Sequence, residues 1–359
     1  MKVHNFSAGP AILPASVMAE AAEAVKDFNG SGLSILEISH RSKPFVAVLE
    51  EAVALVRELL QVNDDYAVLF LTGGASSQFF MSAMNLLNED ETAGYINTGS
   101  WSTKAIKEAQ NFGKVVELAS SKDTNFSYIP KGYDIPADLK YLHLTSNNTI
   151  FGTQFKDFPT TNVPLVADMS SDIFSRPLPI ERFGLIYAGA QKNMGPAGVT
   201  LAIVRKDLLG KVERTIPTML NYETHIKKYS SFNTPPVFPI FVSMLTLRWV
   251  KEKGGVEAMV PHNEAKAKII YDAIDNSPLF EAVVTDPVDR SLMNATFVLK
   301  EEFAQLEADF LAAAAAANCS GIKGHRSVGG FRASIYNSMP QSSAQALADV
   351  MAEFTAKHA

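Results

Sequence analysis

Residues 184–206, GLIYAGAQKNMGPAGVTLAIVRK, decide how this chain is read. Two short apolar runs, GLIYAGA and VTLAIVR, flank a turn rich in glycine and proline, as two buried strands would. Lys192 stands between them. A charged lysine held between buried strands is costly to desolvate. Its amine either reaches solvent along the stem or has lost its charge for a reason.

Outward from there, similar runs recur upstream. YAVLFLT (66–72), TAGYINTG (92–99), KVVELAS (114–120), KYLHLTS (140–146) and VPLVADMSS (163–171) read as strands, seven in all with the first two. GGASSQFFMSAMNLL and SWSTKAIKEAQNFG read as helices between them. This alternation predicts an α/β fold with a mostly parallel seven-stranded sheet covered by helices on both faces. Ligands of such sheets sit beyond the carboxyl ends of the strands. Gly73, Gly74, Trp101, Asp168 and Lys192 all fall there.

Residues 14–57 have a helical pattern, broken at Gly30, Gly32 and EISHRSKPF. A helical stretch over 240–252 ends at Gly254-Gly255, and the composition then shifts. AMVPHNEAKAKIIYDAI and EEFAQLEADFLAAAAAAN each read as one helix, the alanine run being close-packed helix. We expect a large domain over 15–255 and a smaller α+β domain over 256–359. No internal repeat is visible.

The composition of the 359 residues, 47% hydrophobic and 19% charged, is that of a soluble globular protein. A net charge of −6 argues against a nucleic-acid partner. The single cysteine, Cys319, excludes an intrachain disulfide and favours an intracellular setting. It is read as a structural residue near a helix end. The segment MKVHNFSAGPAILP has no continuous apolar stretch of the kind a signal peptide needs. No apolar run approaches the ~20 residues of a membrane span. The expectation is a cytoplasmic enzyme without membrane or metal.

Gly73-Gly74-Ala75-Ser76-Ser77 links a strand to a helix start, where free backbone N–H groups suit a phosphate. The ordinary alternative is a serine-capped turn. The segment matches neither common nucleotide-binding glycine pattern. Asp168 ends one strand and Lys192 follows another, so the two could form a plain ion pair. They also fit the two ends of pyridoxal phosphate, with Lys192 in a Schiff base to its aldehyde and Asp168 on the pyridinium nitrogen. Trp101 is either core or a ring stacked on a flat heterocycle. Thr149 is a loop threonine whose hydroxyl could donate to that ring's oxygen. His40 with Arg41, and His325, Arg326 and Arg332, form two basic clusters, either solvated faces or binders of an anionic substrate.

With these residues assembled, the chain closely resembles the phosphoserine aminotransferase family from end to end. NFSAGPAILP, EISHRSKPF, YAGAQKNMGPAG, SSFNTPPVFPIF and KGHRSVGGFRASIYN carry the resemblance. It implies a fold-type I, class-V, pyridoxal-phosphate-dependent homodimer whose small domain also takes the N-terminal segment 1–14. By position, it assigns Lys192 to the Schiff base, Asp168 to the pyridinium, Trp101 to stacking and Thr149 to the ring hydroxyl. Ala75, Ser76 and Gln191 would hold the cofactor phosphate, joined by Asn233 and Thr234 of a second subunit. Arg332 would clamp the substrate α-carboxylate, and His40, Arg41, His325 and Arg326 its distal anion. Many relatives carry arginine where Ser76 stands, a charge this chain lacks. The implied reaction is amino transfer between glutamate and 3-phosphohydroxypyruvate, giving phosphoserine and 2-oxoglutarate. 4-Phosphohydroxythreonine is a possible second substrate. Two other readings stay open: a serine–pyruvate or alanine–glyoxylate type aminotransferase, and a non-catalytic binder of phosphorylated metabolites.

Overall fold

All seven apolar runs form strands, and the seven share one sheet. The structure is a computed structural model that describes residues 3–358, so residues 1, 2 and 359 of the expected segments lie outside the described residues. In chain order it opens with β1 (His4–Asn5), α1 (Ala15–Lys26), α2 (Lys43–Leu60), β2 (Tyr66–Leu71) and α3 (Gly74–Leu86). Then come β3 (Thr92–Asn97), α4 (Ser100–Ala109), β4 (Lys114–Ser120), β5 (Leu142–Thr145), β6 (Leu165–Asp168), β7 (Phe183–Gly189) and β8 (Thr200–Arg205). Next follow α5 (Tyr222–Lys227), α6 (Val237–Glu252), α7 (Gly255–Asp275), β9 (Phe280–Ala282) and β10 (Asn294–Leu299). The chain finishes with α8 (Glu307–Ala316), β11 (Cys319–Ser320), β12 (Phe331–Ser334) and α9 (Gln341–His358).

The large sheet has the order β2-β8-β7-β6-β5-β3-β4. Only β8 runs against its neighbours, β2 and β7. Residues 190–199, which join β7 to β8, are too few for the crossover of about a dozen residues that a parallel return requires. Lys192 lies on that short connection. Side chains alternate across the sheet, as the two-residue period of a strand dictates. Val68 and Phe70 pack with α1, α2 and α6, whereas Ala67, Leu69 and Leu71 pack with α3 and α4. Helix α2 opens with Pro44 in its first turn, where a missing N–H costs nothing. The segment 27–42 between α1 and α2 is irregular and carries His40 and Arg41.

A second core belongs to the antiparallel sheet β12-β10-β9 with α7, α8 and α9. Phe280, Phe297, Phe310, Phe331 and Phe354 fill it, with Phe310 and Phe331 ring centroids 4.7 Å apart. Helix α7 serves both cores, through Val256 and Met259 on one side and Ala267, Ile270 and Ile274 on the other. Strand β1 pairs with β11, His4 opposite Cys319, so the N-terminal segment packs with the second core. Cys319 is buried there.

The stretch 301–318 differs from the single helix expected. Residues Glu301–Leu306 form a 3-10 turn, and the α-helix begins only at Glu307. The three-residue period of that turn aligns Phe303 with Leu306, and both pack on the second core. No helix of the described residues is long and apolar enough to cross a membrane.

Candidate active site

Asp168 is the last residue of β6, beside Thr145 of β5 and Tyr187 of β7. It is 5% exposed. Its Oδ1 accepts hydrogen bonds from the Ser170 backbone N–H at 3.0 Å and from Ser170 Oγ at 2.6 Å. Its Oδ2 accepts none among the described residues. Burial raises the Asp168 pKa, while the Lys192 charge and the Ser170 bonds pull it back. The carboxylate is therefore desolvated without a cation in contact, a situation that favours any N–H or cationic partner brought to Oδ2.

Lys192 follows β7 at the same edge. Its Nζ donates to Thr149 Oγ1 at 2.7 Å and forms no ion pair with Asp168. Burial lowers its pKa to about 8, the Arg332 charge adding to the effect and Asp168 opposing it. This answers the burial problem posed by the sequence: burial brings the amine's titration down to within about one pH unit of neutrality. Gly9 closes over the stem, since a Cβ there would lie 3.2 Å from Lys192 Cγ, and its φ of +146° disfavours a side chain as well. Ala11 N–H donates to the Gln191 carbonyl at 2.9 Å, tying the N-terminal segment to the same turn.

Trp101 sits in the first turn of α4, with Lys192 Nζ 5.4 Å from its ring centroid. Its indole Nε1 is buried without a partner. Thr149 is 3% exposed. Its carbonyl accepts from Arg332 Nη1 at 3.1 Å, a contact that joins β12 of the second core to the large sheet's edge. Arg332 Nε is also buried and unpartnered. Leaving such donors unmade costs about 1–3 kcal/mol each, which a ligand acceptor would recover.

Helix α3 begins at Gly74 with no side-chain cap. The N–H groups at its first turn, Ala75 and Ser76 among them, are left for an acceptor. Gly73 takes a left-handed φ of +96°, and a Cβ there would collide with the Ser77 side chain. Gln191 lies beside Lys192, packed over Gly189, and its side-chain amide makes no hydrogen bond among the described residues. These features fit pyridoxal phosphate: a free carboxylate oxygen for the ring nitrogen, an aromatic ring, a hydroxyl, an amine and an open helix start.

His325 and Arg326 precede β12 on a loop. His325 has its pKa lowered by burial and by the charges of Arg332, Arg326 and Lys104. Those three charges therefore lie close enough to His325 to act on it. Lys104 escaped notice in the sequence, although its position three residues after Trp101 on a helix places both on one face. Ser170 was also missed, although it stands two residues after Asp168, the spacing at which an aspartate carboxylate accepts from the chain that follows it. His40, half-buried, and Arg41, exposed, make no hydrogen bond or ion pair with Lys192, Asp168 or Arg332 among the described residues. Asn233 and Thr234 are exposed, and Asn233 lines a pocket shared with Gly73 and Ser77. The single chain does not bring these four into contact with Lys192.

The family model for aminotransferase class-V matches residues 3–347. A phosphoserine aminotransferase of Phocaeicola vulgatus is 56% identical over 358 residues, covering 100% of both chains. The solved phosphoserine aminotransferase of Bacillus circulans subsp. alkalophilus superposes with a TM-score of 0.96 at 48% identity, covering 100% of this chain and 99% of that one. A PLP-bound phosphoserine aminotransferase from Trichomonas vaginalis gives 0.93 at 36% identity, covering 98% of this chain and 100% of that one.

Proposed function

This chain belongs to the aminotransferase class-V family, and from that premise we propose that it transfers an amino group between L-glutamate and 3-phosphohydroxypyruvate, giving O-phospho-L-serine and 2-oxoglutarate. The observation that carries the reading is Lys192 and Asp168 at one sheet edge, unpaired with each other, beneath cations that have no carboxylate partner. Full-length identity to phosphoserine aminotransferases supports the substrate assignment.

Pyridoxal phosphate is the cofactor. Asp168 would hold its ring nitrogen, Thr149 its ring hydroxyl, Trp101 its face, and Ala75, Ser76 and Gln191 its phosphate. Lys192 would anchor its aldehyde carbon. When bound, the group supplies a ring that withdraws electrons from the substrate α-carbon.

The chain's own residues do the rest. Arg332, with a free Nε and a planar fork, binds the α-carboxylate shared by both amino-acid substrates and so fixes the α-carbon. Lys192 Nζ, partly neutral near pH 7, takes the proton from that carbon and later returns one. Thr149 Oγ1 aims the amine meanwhile. His325 and Arg326 receive the distal anion.

Within one chain His40, Arg41, Asn233 and Thr234 stand apart from Lys192, so their assigned roles call for a second copy. We therefore assign a homodimer with shared sites, acting in the cytoplasm in serine biosynthesis and, by the same chemistry on 4-phosphohydroxythreonine, in pyridoxine biosynthesis. In this reading 15–255 is the cofactor domain, and 256–359 with 1–14 is the small domain. A serine–pyruvate type enzyme would have no use for a second cluster of His and Arg at the cleft. The test is an absorbance scan of the purified protein with phosphoserine, then serine, then glutamate. Spectral change with phosphoserine and glutamate but not serine is expected. A response to serine equal to that to phosphoserine would overturn the substrate assignment, and no response at all would overturn the reaction.

A further inference from the structure

Several basic residues of this protein have a carboxylate beside them: Arg290 has Asp275, Arg176 has Asp172 and Lys131 has Asp289. The basic residues at the cleft do not. Among the described residues Lys104, Lys192, His325, Arg326 and Arg332 form no ion pair, although the chain carries a net charge of −6. Lys104 enters this group by two independent relations. Its Nζ stands 4.6 Å from the Trp101 ring centroid, the same ring that Lys192 Nζ approaches to 5.4 Å. Its charge also acts on His325, which the loop before β12 carries, and no carboxylate acts there to offset it.

Like charges held together without a counter-ion repel, and the arrangement is tolerable only where an anion completes it. Arg332 lies deeper than Lys104 and Arg326, bonded to the carbonyl of Thr149, whose hydroxyl accepts from Lys192. Lys104 and Arg326 are exposed and lie further out. His325 Nδ1 accepts the Ser327 N–H at 3.2 Å, which leaves Nε2 to carry a proton outward as a donor. A substrate clamped by its α-carboxylate at Arg332 would thus direct its far end towards Lys104, His325 and Arg326. A phosphate dianion offsets the repulsion there better than a carboxylate of single charge, and its three oxygens can take a donor from each.

We propose that Lys104 is a specificity-determining residue that binds the distal phosphate of the phosphorylated substrate, together with His325 and Arg326. The proposal rests on the reading of the site given above and deepens it. The Trp101 ring holds the Lys104 amine over its face, which limits the freedom lost when the amine meets its ligand.

The test uses the cofactor-loaded protein with Lys104→Gln and Lys104→Arg. Calorimetry with O-phospho-L-serine and with inorganic phosphate, and steady-state KM values for phosphoserine and glutamate, are the readouts. In Lys104→Gln, affinity for phosphoserine should fall about tenfold. Its KM should rise in step, the KM for glutamate should move far less, and Lys104→Arg should restore most of the loss. Unchanged phosphoserine binding in Lys104→Gln overturns the proposal. Equal losses for phosphoserine and glutamate also overturn it, because the lysine would then act only through Trp101. If the unaltered protein itself fails to bind phosphoserine, the function proposed above has failed rather than the role of Lys104.

Discussion

Lys192 gives its hydrogen bond to Thr149 Oγ1, 2.7 Å away, and not to Asp168, the carboxylate whose charge it feels. The amine is thereby aimed and the carboxylate left open, both before any ligand arrives. Lys192→Ala should lower turnover by roughly 10²–10⁴-fold and remove the visible absorbance of the loaded protein. Thr149→Val, which removes the hydroxyl that aims the amine and would meet the cofactor's ring hydroxyl, should cost a few-fold to about tenfold. Full activity in Lys192→Ala, measured with glutamate and phosphohydroxypyruvate, contradicts the assignment.

The Lys192 amine has a pKa of about 8 because burial disfavours its charged form. In cofactor-free protein, the rate of acylation at residue 192 should reach half its maximum near that pH and not near the ordinary lysine range. Asp168 holds the value up and Arg332 pushes it down. Asp168→Asn should therefore shift the midpoint lower and Arg332→Ala higher. Peptide mass spectrometry across a pH series reads all three, and shifts of opposite sign would contradict the charge arrangement.

Arg332 lies beside Thr149 and carries an unpartnered Nε. Arg332→Ala should weaken glutamate and phosphoserine alike, by about 2–5 kcal/mol. Arg326→Ala should penalise phosphoserine more than glutamate. Comparison of kcat/KM for the two half-reactions checks this division.

Lys266 is fully buried, its amine donating only to the Tyr336 carbonyl at 2.6 Å. Burial drives its pKa well below the usual lysine range. The unfolded chain then binds one proton more than the folded one between that lowered value and about 10.4, so stability rises with pH across the interval. Lys266→Met should flatten the slope by about 1.4 kcal/mol per pH unit. Denaturant unfolding of both proteins at several pH values measures it, and parallel slopes refute the neutral amine.

The seven strands were legible because each is a continuous apolar run between punctuating glycines, prolines or polar turns. The reversal of β8 was implicit in the short 190–199 connection yet was not drawn from it, since periodicity carries no direction. The 3-10 turn at 301–306 was hidden because its three-residue spacing of Phe303 and Leu306 also suits an α-helix. At the site, Asp168 and Lys192 stood out by their place after apolar strands. Lys104 did not, because its significance depends on His325, far away in the chain, and Ser170 did not, although its partner Asp168 stands only two residues before it. The separation of His40 and Arg41 from Lys192 within the chain lay equally beyond a linear reading.

The N-terminal strand has one further effect. His4 and Asn5 find their ladder only at Cys319 and Ser320, and Gly9 then closes over the Lys192 stem. During synthesis, residue 4 must wait for residue 319 to emerge before it can settle. The enclosure of the reactive amine is thus among the last events on the ribosome, and a chain arrested before position 319 would leave that amine uncovered.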